Sequence, residues 1–278
     1  MLKKNIQYFK YNIKFKEIYF KKNIKKIYPD MINLINVEYS QNKIFENISK
    51  KSNTYIKKSF DIALQILNKG ITNKFINGPI SKNTFLNKNF YGITEYLAQK
   101  TNSKNIAMII FNKSLSVCPL TTHLPIKLVT KKINKKNISD KVFLINNFYV
   151  KKFGFKPKIA ILGLNPHCES VHKFNEDDKI IKPAIQHLKK KYNVSGPYPA
   201  DTIFLKNNRK NFNVILGMYH DQVLAPLKTL YEYDAINITL GLPFDRISPD
   251  HGPNEKMLGK NISNPLSLIN AIKFLEKY

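Results

Sequence analysis

Val214-Ile215-Leu216-Gly217-Met218-Tyr219-His220-Asp221-Gln222 sets an unbroken apolar run directly against three polar side chains. A short apolar run with no polar alternation reads as a strand covered on both faces, as in the parallel sheet of an α/β protein. The polar triplet then falls at the carboxyl end of the strand, where open α/β sheets build their sites. Two other stretches repeat the arrangement. Residues 115–120 run into Thr121-Thr122-His123, and residues 158–164 into Asn165-Pro166-His167.

The segments around these runs complete an alternating pattern. Ile56, Phe60, Ala63, Leu64 and Leu67 follow helical spacing over residues 55–69, and Gly70 closes that helix. Residues 75–77 read as a short strand entering Gly78-Pro79, and a helix follows at 94–100. Residues 106–111 and 115–120 flank Asn112-Lys113-Ser114 and predict a hairpin. Ser139 is read as the cap of a helix carrying Val142, Ile145 and Tyr149, stopped by Gly154. Residues 176–192 are helical, with Pro183 as a kink. Residues 235–240 form a further buried strand, and a last helix is capped by Asn264 with Pro265 at its first position. Residues 32–39 hold a short strand, within a stretch, 1–50, that is otherwise the least legible. Alternating strands and helices predict a largely parallel sheet, the hairpin adding an antiparallel element.

The net charge of +27 would by itself suggest nucleic acid or an anionic membrane. The kind of basic residue argues otherwise. Arg209 and Arg246 are the only arginines against 44 lysines, and the lysines are spread over every segment. A dedicated nucleic-acid binder uses arginine for bidentate phosphate and base contacts, so neither nucleic acid nor membrane is expected as a partner. Cys118 and Cys168 are too few for a disulfide framework and fit a reducing cytoplasm. No apolar run approaches the roughly 20 residues of a membrane span, and residues 1–26 lack the uninterrupted apolar core of a signal peptide.

His123, His167 and His220 each follow a buried strand, and each sits beside a Thr, Pro or Asp that fixes its loop. Neutral imidazoles suit a divalent transition metal, and three protein ligands leave a position open for substrate. His172 and His187 lack that setting, His187 lying in a solvated run with Lys189 to Lys191. Asp221, next to His220, is placed to orient a ligand or relay a proton. Lys228 and Arg246 supply cations and Asn237 a neutral donor. The planar fork of Arg246 suits a carboxylate or phosphate. Asp250-His251-Gly252, Gly259-Lys260-Asn261-Ile262 and Asn264-Pro265 lead into a helix N-terminus. Neither a G-x-G-x-x-G nor a P-loop pattern occurs.

Taken together, these segments resemble the 4-hydroxythreonine-4-phosphate dehydrogenase family. The matching motifs run from Asn77-Gly78-Pro79-Ile80-Ser81-Lys82 through Thr121-Thr122-His123-Leu124-Pro125 and Gly163-Leu164-Asn165-Pro166-His167. They continue with Gly196-Pro197-Tyr198-Pro199-Ala200-Asp201-Thr202, Met218-Tyr219-His220-Asp221-Gln222, Asn237-Ile238-Thr239-Leu240-Gly241-Leu242-Pro243-Phe244 and Asp250-His251-Gly252. The resemblance implies an isocitrate/isopropylmalate-dehydrogenase-like α/β/α fold over residues 1–278, a single unit of two interleaved lobes. It also implies a homodimer with the active site at its interface. His123, His167 and His220 are then ligands of a divalent metal (zinc, magnesium or cobalt), one of them from the partner subunit. Thr94, Lys228, Asn237 and Arg246 fall on substrate-binding positions, and His251 and Asn264 are candidate contacts to NAD or NADP; beside that resemblance, Asp221 and Lys228 are read as the catalytic residues. The implied reaction oxidises a phosphorylated hydroxy-amino acid, 4-phosphooxy-L-threonine, to a β-keto acid that decarboxylates to 3-amino-2-oxopropyl phosphate.

Two departures stand out. Ile93 occupies the place of a family histidine in Gly92-Ile93-Thr94-Glu95, and an aliphatic side chain can neither donate a hydrogen bond nor titrate. Lys82 or Lys88 is the candidate replacement. The family's opening Gly-Pro-rich loop is not found before Gly78, so residues 1–50 are expected to be truncated or drifted. These departures motivate an alternative, a homologue that binds metal or phosphate without turnover. A third reading, a basic nucleic-acid-binding protein, rests on charge alone.

Overall fold

The structure is a computed structural model that describes residues 2–20, 24, 26–86 and 90–278. The chain divides into two compact units, Met1–Asn73 with Ile80–Asn87 and Pro253–Ser263, and Lys74–Pro79 with Lys88–Gly252 and Asn264–Tyr278.

The first unit holds α1 (Leu2–Tyr8), a short parallel pair β1 (Phe15–Glu17) and β2 (Ile32–Leu34), α2 (Asn53–Asn68) and α3 (Lys82–Phe85). Helical spacing turns Phe60, Leu64 and Leu67 of α2 inward, and Phe60 stacks on Phe85 with ring centroids 5.9 Å apart. Gly70 ends the helix at φ +68°, a left-handed geometry that glycine adopts without Cβ strain. Lys88, one candidate replacement for the missing histidine, lies outside the described residues.

The second unit carries the sheet: β3 (Lys74–Ile76), β4 (Ala107–Phe111), β5 (Ser116–Thr121), β6 (Ile159–Leu162), β7 (Val194–Tyr198), β8 (Val214–Tyr219), β9 (Ile236–Leu240) and β10 (Asp245–Pro249). Its helices are α4 (Ile93–Lys100), α5 (Lys135–Phe153), α6 (Lys182–Leu188), α7 (Ala200–Ile203), α8 (Lys206–Arg209), α9 (His220–Tyr231) and α10 (Leu266–Lys277). The strand order is β3-β10-β9-β4-β5-β8-β6-β7. Of these seven pairings, β10–β9, β9–β4 and the expected β4–β5 hairpin are antiparallel and the other four are parallel.

Both faces of the sheet are covered. Ile159, Ile161, Leu216 and Met218 face a core closed by α5, α6 and α10, which includes Ile138, Ile145, Ile185 and Phe274. Ala160, Leu162 and Ile215 face a second core with Val223 and Leu227 of α9. Alternate residues of one strand thus enter different cores, which is why these strands read as continuous apolar runs.

Some local expectations are corrected. The cap of α5 is Asn134, whose Oδ1 accepts from Asn137 N at 2.8 Å, and Ser139 lies inside the helix, bonded back to the Lys135 carbonyl. Asn134 has the extended backbone a cap needs, so the helix starts one turn earlier. Pro183 produces no bare kink. A π-helical turn at Asp177–Ile181 precedes it, so it falls in the first turn of α6, where its missing N–H costs nothing. Asn264 does accept from Leu266 N at 2.9 Å, with Pro265 itself in the cap position.

Candidate active site at the strand ends

The parallel strands β5, β8 and β6 lie side by side, so their carboxyl ends share one edge of the sheet. His123 stands two residues past β5, and His220 is the first residue of α9, directly after β8. Their rings lie 5.6 Å apart, centroid to centroid. The Nδ1 of His220 donates to Asp221 Oδ1 at 2.6 Å, which orients the ring and leaves Nε2 as the unprotonated nitrogen. An imidazole centroid sits about 3 Å from a metal it ligates, so two ligands of one ion have centroids roughly 5 Å apart. The pair therefore fits a shared divalent cation, both in spacing and in donor chemistry.

His167 also stands beyond its strand, in a 3-10 turn at Pro166–Cys168, but it is exposed and has a left-handed φ of 56°. Among the described residues no set of three His, Cys, Asp or Glu side chains within one chain is close enough to hold a metal ion. A single chain thus assembles two of the three predicted ligands.

The neighbouring face of β9 and β10 is polar. Register places Arg246 opposite Thr239 and Ser248 opposite Asn237, and paired residues share a face. Arg246 is 3% exposed. Its Nε donates to Asn77 Oδ1 at 2.8 Å, and its Nη1 to Thr239 Oγ1 at 2.9 Å and Thr94 Oγ1 at 3.5 Å. All three acceptors are neutral, and burial pulls the guanidinium down to about 10, with the nearby Glu95 carboxylate acting in the opposite direction. Removing such a cation from water costs several kcal/mol. Hydrogen bonds to a charged group return about 1.5–3 kcal/mol each, so the guanidinium is solvated but not neutralised. The predicted substrate residues Thr94, Asn237 and Arg246 thus lie on paired or bonded positions, and Asn237 Oδ1 is buried without a partner.

Lys228, two turns into α9, pairs with Asp250 at 2.5 Å. Burial raises the Asp250 carboxyl above the usual carboxylate value, partly offset by Lys228 and by the nearby His220 and His251. His251 is exposed, its Nδ1 3.1 Å from the Gly252 carbonyl, and Asn264 is exposed at the start of α10.

The sequence reading missed several residues here. Glu95 holds Thr122 Oγ1 at 3.1 Å through one oxygen and buries the other without a partner. A Cβ on Gly92 would meet that second oxygen at 2.8 Å and His123 Cε1 at 3.1 Å, so a larger residue there would displace the Glu95 carboxylate and crowd the His123 ring. Glu95, Asn77 and Asp250 all lay within motifs already singled out, but nothing local distinguished them from loop polarity. Ile93 is buried at the start of α4 and brings no polar group.

The sequence profile described as "Pyridoxal phosphate biosynthetic protein PdxA" matches residues 1–275. A 4-hydroxythreonine-4-phosphate dehydrogenase of Sulfurihydrogenibium sp. (strain YO3AOP1) is 40% identical over 257 residues, covering 91% of this chain and 79% of that protein. The crystal structure of 4-hydroxythreonine-4-phosphate dehydrogenase from Klebsiella pneumoniae superposes with a TM-score of 0.76 at 26% identity, covering 95% of this chain and 82% of that one. Isocitrate dehydrogenase from Methylococcus capsulatus shares the fold, with a TM-score of 0.50 at 12% identity, covering 80% and 74% of the two chains.

Proposed function

This chain belongs to the family of the pyridoxal phosphate biosynthetic protein PdxA, and from that premise we propose how its strand-end residues serve a 4-hydroxythreonine-4-phosphate dehydrogenase. The protein is an oxidoreductase of pyridoxal phosphate biosynthesis. Its reaction oxidises the secondary alcohol of 4-phosphooxy-L-threonine, with NAD or NADP taking the hydride. The β-keto acid formed then loses carbon dioxide to leave 3-amino-2-oxopropyl phosphate.

One observation carries the assignment of residues. Arg246 is a buried cation whose three hydrogen-bond acceptors are all neutral; the Glu95 carboxylate acts on its charge from nearby without bonding it, and the Nη2 edge enters none of those bonds. Such a group calls for an anion, and the phosphate or carboxylate of the substrate supplies one. Thr94 and Thr239 hold the guanidinium plane in place. The orphaned Asn237 Oδ1 accepts from a substrate ammonium or hydroxyl. Lys228 provides a second cation, and its ion pair with Asp250 gives a short path for moving a proton at the substrate hydroxyl.

His123 and His220 would hold the divalent metal, with the imidazole of His167 arriving from the second subunit of a homodimer. Imidazole donors favour zinc or cobalt over magnesium. When bound, the cation supplies Lewis-acid polarisation of the substrate oxygen. Asp221 keeps His220 in the tautomer whose Nε2 is free to ligate. His251 and Asn264 are the cofactor contacts in this reading. Among the described residues no helix is long and apolar enough to cross a membrane.

The test is direct. Purified protein given 4-phosphooxy-L-threonine, NAD or NADP, and zinc or cobalt is expected to produce reduced nicotinamide, read by its absorbance. Folded protein that produces none with any of these metals overturns the reading in favour of binding without turnover.

A further inference from the structure

The turn that carries His167 is held by a side chain from elsewhere in the chain. Asp177, the first residue of the π-helical turn ahead of α6, is fully buried. Its Oδ1 accepts from Leu164 N at 2.8 Å. Its Oδ2 accepts from Asn165 N at 3.0 Å and from Asn165 Nδ2 at 2.8 Å. Among the described ion pairs none involves Asp177, so the carboxylate spends its hydrogen-bonding capacity on the loop that follows β6. The packing is close as well. A Cβ on Gly163 would meet Asp177 Oδ1 and Cys168 Sγ, each at 2.6 Å.

That loop needs holding. His167 and Cys168 are consecutive left-handed residues, φ 56° and 61°, and neither is glycine. Such residues persist only where the surroundings over-determine them. A second buried side chain acts at the start of the same loop. Gln222 of α9 donates to the Gly163 carbonyl at 2.8 Å and accepts from Met218 N at 2.7 Å, linking the ends of β6 and β8.

We propose that Asp177 is a positioning residue for His167: its carboxylate, bonded to both backbone amides and the side-chain amide just ahead of Pro166, fixes the left-handed turn that aims the imidazole. The proposal rests on the reading of His167 as a metal ligand. Partners of this kind around a ligating histidine typically alter metal affinity 10- to 100-fold.

The experiment compares the whole enzyme with Asp177→Asn and with the milder Asn165→Ala, which removes a single donor. Cobalt(II) is titrated and followed by its visible absorption, and inorganic phosphate binding reports separately on the Arg246 pocket. Asp177→Asn is expected to weaken cobalt binding about tenfold or more, to alter the cobalt spectrum, and to leave phosphate binding unchanged. Folded Asp177→Asn with unaltered cobalt affinity and spectrum overturns the proposal, and so does parallel loss of phosphate binding. If Asp177→Asn does not fold, Asn165→Ala decides by the same criteria. If the unmodified enzyme takes up no cobalt, the metal reading fails by itself, and hydrogen exchange decides the positioning role. Protection of the Leu164 and Asn165 amides that disappears in the variant supports the clamp, and equal exchange in both proteins overturns it.

Discussion

The ends of β8 and β6 are neighbours in the sheet, each leads to a histidine, and the two are built in opposite ways. After β8 the chain passes through extended Tyr219 straight into α9, so His220 takes ordinary helical geometry and the next residue, Asp221, orients its ring. After β6 the chain enters a turn with two left-handed residues, and the groups that fix it come from Asp177 and Gln222, 10 and 55 positions beyond His167. The left-handed conformation costs roughly 1–2 kcal/mol per residue. A histidine at a helix start is thus placed by its own backbone, whereas one in a strained turn is placed by distant residues. The first kind comes together with His123 within one chain, and the second is left facing outward.

The largest expected effect tests that division. His123→Ala, His167→Ala and His220→Ala should each lower kcat/KM by roughly 10³-fold or more, because a Lewis-acid contribution of several kcal/mol is lost. Co-expression should then separate them. His123→Ala with His167→Ala should regain about a quarter of wild-type activity, since half the dimers are mixed and half their sites are intact. His123→Ala with His220→Ala should regain none, because both residues belong to the same chain's half of the site. Recovery in that second mixture would break the comparison.

Arg246→Met should have a smaller effect on turnover and a different one on stability. Truncating one partner of a desolvated charge contact costs about 2–5 kcal/mol, so kcat/KM should fall roughly 10²- to 10³-fold. The melting temperature should change little, because the desolvation relieved by an apolar side chain offsets the hydrogen bonds to Asn77, Thr94 and Thr239 that are lost. A large fall in melting temperature would mean that Arg246 serves the fold rather than an anion.

Asn134→Ala should have the smallest effect. Losing the cap of α5 should cost about 1 kcal/mol of stability with kcat and metal affinity unchanged. It calibrates how far simple destabilisation alters metal binding, against which the Asp177 variant is judged. A drop in metal affinity for Asn134→Ala would remove the distinction between positioning and stability.

Much of the sheet was legible because its apolar runs are local. β4, β6, β8 and β9 fall on or within the runs read from sequence, β5 runs one residue past its own to Thr121, and the β4–β5 hairpin forms as expected. β7, β10 and α9 were not read. β7 contains Gly196-Pro197, which resembles a turn, and it is tolerated as a strand because β7 lies at the sheet edge. β10, Asp245-Arg246-Ile247-Ser248-Pro249, looks like a loop, and only pairing with β3 and β9 buries it. Pro226 within α9 concealed a helix that packing on β5 and β8 sustains. The family match also takes in residues 1–76, where no motif was recognised.

By itself, the sequence determined which segments are buried on both faces and where polar side chains follow them, because apolar periodicity is written into consecutive residues. It also identified the histidines and Arg246 as the unusual chemistry of the chain, while Lys228 was one lysine among 44. Only tertiary structure decided that His123 and His220 meet while His167 stands apart, that Arg246 hydrogen-bonds to neutral groups alone, and that Asp177 grips a loop more than ten residues away. Those facts depend on strand order and register, which bring together groups remote in the chain, and no local pattern encodes a distance between them.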